Sequence, residues 1–216
     1  MKIDVHIHTV FSRDGFINLK QAVLRAKQTG IDCFAVTDHN NIKCHAFAKS
    51  ISKQHDFPII LGSEVKTVSG EILALGINES VKPKMSAEET IDAIHSMGGI
   101  AIASHPFSFL LYHQGIGRKI TSLKIDAVEA FNARTLIGNG ITQNTALKHK
   151  LSMVAGSDAH TLSEIGNAYT EVYADTVEGA LKQIKKGKTR MYCKNVSFVS
   201  VFNWYCMKFK RRLSFG

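Results

Sequence analysis

Proline is scarce in this chain. Only three occur among 216 residues, so no Pro-rich linker divides the sequence and no domain break is expected. A run of about 18 apolar residues is missing too, which excludes a membrane-spanning helix. The opening residues enter a β-type pattern at once, without the apolar core and cleavage pattern of a secretory leader, so no signal peptide is expected. The four cysteines (Cys33, Cys44, Cys193 and Cys206) include no C-x-x-C pair, and Cys33 lies inside an apolar strand pattern. Reduced thiols in a cytoplasmic protein are the expectation. Internal repeats are lacking. Acidic residues are in deficit: 18 Asp and Glu against 27 Lys and Arg leave a formal charge of +9, which invites a polyanionic partner. Much of that excess is local. Lys182, Lys185, Lys186, Lys188, Arg190 and Lys194 crowd one segment, and Lys208, Lys210, Arg211 and Arg212 another. Solvated surface is the ordinary reading of such runs, although a positive field would also steer phosphorylated ligands.

What the chain does have is a set of short apolar runs that each end in a metal-ligand residue. Ile3-Asp4-Val5-His6-Ile7-His8 is the first, and Phe34-Ala35-Val36-Thr37-Asp38-His39 the second. Ile59 to Glu64, Ile100 to His105, and Met153 to Asp158 and His160 follow the same plan. Strands whose C-terminal ends carry His, Asp or Glu describe a barrel converging on one site. Helical stretches alternate with them. Asn18 is a plausible N-cap for a helix closed by Gly30, and Ser86-Ala87-Glu88-Glu89 reads as a capping box. About seven β-α units imply an α/β protein with mainly parallel strands. A closed barrel is preferred over a doubly wound open sheet, because closure brings the first and last strands together.

Asp4, His6 and His8 are spaced i, i+2, i+4, which in a regular strand puts all three on one face and leaves Ile3, Val5 and Ile7 to pack on helices. Asp158 and His160 repeat the i, i+2 spacing. One such pair would read as a polar strand face; five strand ends of the same kind read as a site. The donors are nitrogen and oxygen, without thiolate, which suits Zn²⁺, Mn²⁺ or Fe²⁺. At least seven candidates imply more than one ion, and two ions about 3.5–4 Å apart can clamp a phosphoryl group.

These residues resemble the PHP (polymerase and histidinol phosphatase) superfamily of metal-dependent phosphoesterases. The matching segments are Asp4-Val5-His6-Ile7-His8-Thr9, Ser12-Arg13-Asp14-Gly15, Thr37-Asp38-His39-Asn40, Gly62-Ser63-Glu64, Ser104-His105-Pro106-Phe107 and Gly156-Ser157-Asp158-Ala159-His160, in family order. Glu129 to Arg134 and Gly166-Asn167-Ala168 are similar to the short branch that carries a PHP-associated C-terminal part. The resemblance implies a distorted (β/α)7 barrel over residues 1–195, with about 120–195 as the PHP-associated part and 196–216 as a basic aromatic tail. It implies two or three divalent ions. His6, His8, Glu64 and Asp158 would hold the first, Glu64 and His105 the second, and Asp14, His39 and His160 the third. The family often gives the second ion another His; Gly70 to Ala74 and Phe131-Asn132-Ala133 hold none, so a weaker or more open second site is expected. Asp4 and Asp38 would orient histidines, and Arg134 would contact phosphate or form a surface salt bridge.

The implied activity is hydrolysis of phosphate esters by a metal-bound hydroxide, with Glu64, Asp158, His105 and Arg134 as the catalytic candidates. The implied substrate is a phosphorylated small molecule or nucleotide. A nuclease acting on DNA or RNA ends and a non-catalytic metal-binding module are the alternatives. His45, His55, His95 and His149 read as surface residues, and His113 as a candidate substrate contact. The aromatic and basic segment after Val196 reads as a strand with a loose end, or else as an amphipathic anchor for an anionic membrane or nucleic acid.

Overall fold

Both faces of the first strand, β1 (Lys2–Ile7), are buried, the condition of a strand enclosed on two sides. The computed structural model describes residues 1–108 and 115–214. From β1 the chain continues through α1 (Leu19–Thr29), β2 (Cys33–Val36), α2 (His45–His55), β3 (Ile59–Lys66), β4 (Glu71–Leu75), α3 (Ala87–Ser96) and β5 (Ile100–Ala103). It then forms β6 (Ala127–Asn132), α4 (Asn139–His149), β7 (Met153–Gly156), β8 (Ala168–Glu171), α5 (Val177–Lys185), β9 (Arg190–Cys193) and α6 (Phe198–Ser214). The caps are those the sequence suggests. Asn18 accepts from the Lys20 amide, Gly30 takes a left-handed φ of 72°, and Ser86 with Glu89 completes a capping box.

The strands form one sheet in the order β7-β6-β5-β4-β3-β2-β1-β8-β9. It is nearly closed. The His8 amide donates to Ala159 O at 2.8 Å, just beyond β7, and Thr170 Oγ1 of β8 exchanges hydrogen bonds with Ala155 of β7. The expectation of a (β/α)7 barrel with mainly parallel strands needs correction. Among the described residues nine strands are present, and of their pairings only β1–β2, β2–β3, β5–β6 and β6–β7 are parallel. For β3 and β4 the reason is connection length. β3 reaches β4 through the tight turn Thr67–Gly70, and only a hairpin fits so short a link; a parallel return needs about a dozen residues.

Side chains from seven strands meet inside the sheet: Ile3, Val5, Ala35, Ile60, Leu73, Ile102, Ala127 and Val154, with Ala180 and Ile184 of α5 against them. Ile7, however, joins the outer cluster under α1 and α2. The pairing with β2 shifts register between Asp4 and Ile7, so the regular alternation expected for β1 is broken there. His6 and His8 consequently meet each other, while Asp4 goes elsewhere. Two other expectations are corrected. His45 is buried, with Nε2 2.9 Å from Gly62 O, because it opens α2 directly over β3. The segment after Val196 is a helix, α6, rather than a strand. Among the described residues no helix is long and apolar enough to cross a membrane.

Asp126 ties the end opposite the site. It accepts from the Ala101 amide (2.8 Å) and His95 Nε2 (2.7 Å), and pairs with the exposed Lys185 (2.8 Å). Burial alone would raise its pKa, but Lys185, the Ala101 amide and His95 together lower it. A depressed carboxylate adds stability above its unfolded value of about 3.9, and that share fades as pH falls through the folded value. Asp126→Asn is therefore expected to cost about 1–2 kcal/mol at neutral pH, with little from the exposed Lys185. Urea unfolding should show the gap to the parent protein closing below about pH 4.

Candidate metal centre

The barrel mouth gathers every proposed ligand. His6 Nε2 and His8 Nε2 lie 3.0 Å apart. Each faces Glu64 Oε2, at 3.5 and 3.3 Å, and Asp158 Oδ1, at 3.5 and 3.3 Å. Donors about 2.0–2.1 Å from a tetrahedral ion would stand about 3.4 Å from one another. The two imidazole nitrogens come close to that spacing with each other and with both carboxylate oxygens. Beside them, Glu64 Oε1 lies 3.1 Å from His105 Nε2, which is 3.7 Å from Glu71 Oε2. On the other side Asp14 is 3.6 Å from His39 Nε2 and 3.6 Å from His160 Nε2, and His39 Nδ1 reaches Glu64 Oε2 at 3.0 Å.

Protonation in this cluster follows from crowding of buried carboxylates. Burial alone would lower His6, but the charges of Asp158, Glu129 and Glu64 raise it well above the usual imidazole value. The same contest, decided by Glu64, Glu129 and Glu71, lifts His105 to about 9. Burial opposes ionisation of Glu64, yet His6, His105 and His39 hold it well below the ordinary range. Burial, together with His8 and Arg134, drops His160 to about 4. Asp14, Glu64, Glu71, Glu129 and Asp158 thus crowd five carboxyl groups around His6, His8, His39, His105 and His160. Carboxylate and imidazole donors gathered so closely suit bound cations.

Several residues that hold the site were not singled out from sequence. Glu129 Oε1 fixes His6 Nδ1 at 3.0 Å, and its Oε2 accepts from the His105 amide at 2.9 Å. Asn132 donates to both Glu129 (3.0 Å) and Asp158 (3.3 Å). Glu71 supplies a carboxylate where a histidine was looked for. A lone acid within an apolar strand, as in Ala127-Val128-Glu129-Ala130 and Glu71-Ile72-Leu73, was the available signal. The orienting roles expected of Asp4 and Asp38 change. Asp4 accepts from the Ser157 (2.9 Å) and Gly166 (3.3 Å) amides and so shapes the loop bearing Asp158; burial pushes it up to about 6. Asp38 binds Thr9 and the Ser12 hydroxyl, and Ser12 Oγ lies 3.3 Å from His8 Nδ1, so its influence on that ring passes through Ser12. Backbone strain marks the same places: His105 and Asp158 adopt φ of 27° and 52°, a region unfavourable for non-glycine residues.

The pocket, with about 310 Å³ of empty space including its open side, is lined by Asp14, His39, Glu64, Glu71, His105, Arg134, Asp158, His160 and Trp204. Arg134 is 8 % exposed and bonds Glu164 at 2.7 Å, so it is a buried ion pair rather than a surface one. Glu164 also accepts from the His160 amide at 2.6 Å. Trp204, on α6, is 4 % exposed and donates to Asp14 O at 2.8 Å. Arg134 and Lys208 each lie 4.4 Å from its ring centre. His113 falls outside the described residues.

Comparison with known proteins agrees with this picture. The PHP_C family model, described as PHP-associated, matches residues 137–189. The uncharacterised protein MJ1587 of Methanocaldococcus jannaschii is 40 % identical over 160 residues, spanning 68 % of this chain and 92 % of its own length. A second protein of that organism, MJ0417, is 29 % identical over 176 residues, with 78 % and 69 % covered. Among solved structures, a candidate metal-dependent phosphoesterase from Bifidobacterium adolescentis superposes with a TM-score of 0.64 at 16 % identity, over 91 % of this chain and 97 % of that one. PsfC from Pseudomonas syringae gives 0.66 at 18 %, over 100 % and 99 %. An amidohydrolase from Chromobacterium violaceum, solved with sulfate and no metal, gives 0.59 at 17 %, over 74 % and 88 %. At these identities the solved structures speak for the fold.

One glycine sets the clearance at this site. A Cβ on Gly156 would come 2.7 Å from Glu129 Oε1 and 2.8 Å from His6 Cβ, so any side chain there displaces the pair. Gly156→Ala is expected to destabilise by about 1–3 kcal/mol, read as a lower urea midpoint at unchanged m.

Proposed function

The chain belongs to the PHP superfamily, and from that premise we propose that it is a metal-dependent phosphoesterase acting on phosphorylated small molecules or nucleotides. The observation that carries this reading is the donor set of His6, His8, Glu64 and Asp158, in which the two imidazole nitrogens lie 3.0 Å apart and each lies 3.3–3.5 Å from an oxygen of Glu64 and of Asp158, with two further donor groups sharing or adjoining Glu64. The first ion would sit among those four. Glu64, His105 and Glu71 would hold a second, and Asp14, His39 and His160 a third. Such ions, when bound, make water a nucleophile near neutral pH and neutralise charge on a phosphoryl group.

The chain's own residues do the rest. Glu129 keeps His6 Nδ1 occupied, so its Nε2 faces the pocket. Arg134, held by Glu164, adds fixed positive charge to the pocket wall and suits a phosphate oxygen. Trp204 covers one side of the pocket and restricts water. A reading as a nuclease on DNA or RNA ends draws support from Lys208 and Arg211 beside the mouth; it requires oligonucleotide affinity that falls steeply with salt.

The decisive experiment combines elemental analysis with a phosphatase screen over nucleotides, sugar phosphates and oligonucleotides, adding Mn²⁺, Zn²⁺ or Fe²⁺ separately. Bound metal and turnover abolished by chelator are expected. Bound metal with no turnover of any phosphate ester would leave a non-catalytic module. Glu129→Gln should weaken metal affinity by about 10- to 100-fold. Glu64→Ala and Asp158→Ala, which remove the donor oxygens outright, should lose more and retain no measurable turnover; undiminished activity in either variant refutes the assignment.

A further inference from the structure

Helix α6 has two faces of opposite character, and its apolar one points away from the barrel. Trp204 and Arg211 dock it: the indole donates to Asp14 O, and the guanidinium donates to Arg13 O (2.9 Å) and Gly15 O (3.0 Å). Lys208 lies on the same side, 3.9 Å from Asp14. At 3.6 residues per turn, Phe198, Phe202, Tyr205, Phe209 and Leu213 form a stripe on the opposite side. They are 83, 58, 44, 64 and 68 % exposed. Tyr205 packs edge-on against Trp204, with ring centres 4.8 Å apart, but Phe198, Phe202, Phe209 and Leu213 align beside it as an exposed apolar surface, where single exposed apolar residues would be ordinary.

The charges around the stripe indicate its partner. Lys210 and Arg212 border it on either side, and α6 contains no Asp or Glu. A second copy laid on this face would bring like charges together without a carboxylate to offset them. The helix also has too many cations to enter a bilayer lengthwise. An apolar stripe edged by cations fits the boundary between anionic headgroups and acyl chains.

We propose that α6 docks the protein on an anionic lipid bilayer, with Phe198, Phe202, Tyr205, Phe209 and Leu213 in the interface and Lys210 and Arg212 at the lipid phosphates. The barrel mouth then lies on the helix's other side, tethered near the membrane. This association stands independently of the hydrolase reading.

The test is sedimentation of the full chain with vesicles of phosphatidylcholine alone or containing about 30 % phosphatidylserine. Binding to the anionic vesicles only, released by salt, is expected. Phe202→Asp with Phe209→Asp should abolish it. Lys210→Ala with Arg212→Ala should weaken it by roughly 30-fold. Unchanged emission from Trp204, the single tryptophan, shows that α6 is still docked in each variant. Should the aspartate variant shift that emission, Phe198→Ser with Leu213→Ser supplies the same readout from the ends of the stripe. The proposal is overturned by absence of binding to anionic vesicles, or by binding that the docked stripe variants retain. It is overturned equally by a solution dimer that those variants dissociate, or by oligonucleotide binding through the stripe in place of vesicle binding.

Discussion

A single buried carboxylate, Glu64, stands within hydrogen-bonding or ion-pair reach of four imidazoles. Its Oε2 faces His6, His8 and His39, and its Oε1 faces His105 and the Ser104 hydroxyl. An ionised carboxylate buried alone would be prohibitively costly. Here it is kept charged by rings from three other strand ends, and those rings are kept in place by it. The mixed sheet makes this convergence possible. β1, β2, β3, β5 and β7 all deliver their last residues to one mouth, and near-closure brings the loop after β7 back onto β1.

The geometry around Glu64 is held by parts that never touch it. Glu129 and Asn132 brace His6, the His105 backbone and Asp158 from β6. Gly156 leaves the space that lets Glu129 reach His6. The left-handed backbone at His105 and Asp158 costs about 1 kcal/mol or more apiece, and the amide bonds to Glu129 and Asp4 help to hold those turns. The fold thus spends local stability to present donors at fixed separations, which is what preorganised ion binding requires.

Much of this was legible in the chain. His8, His39, Glu64, His105 and Asp158 each end an apolar run, and five such endings point to one shared site. The caps at Asn18 and Ser86 depend only on neighbours in sequence, so local chemistry was enough to find them. What escaped depends on distant partners. The bulge in β1, which separates Asp4 from His6, arises from pairing with β2 and leaves no trace in the residue order. Glu129 stands in a segment that resembles the family and Glu71 in a stretch without histidine, and neither shows a role until the sheet brings it to the mouth. The β3–β4 hairpin was hidden because both strands are apolar and the turn is short. Arg134 could be read as surface until Glu164 and Trp204, one 30 and the other 70 positions away, enclosed it.

Charge is distributed on two scales, and the two oppose each other. The mouth is dense in carboxylates, whereas the chain as a whole carries +9. Close carboxylates act over a few ångströms and suit cations; the surrounding excess of lysine and arginine acts over roughly a Debye length of about 8–10 Å and suits anions. Arg134 and Lys208, flanking the Trp204 ring, stand where these two fields meet. On the proposed reading, a phosphorylated ligand would meet Arg134 and Lys208 at the rim, charges of the same sign as the chain's net excess. An acidic site on an acidic protein would repel that ligand until the final contact. Arg134 and Lys208 are therefore the local complement of the carboxylates at the centre.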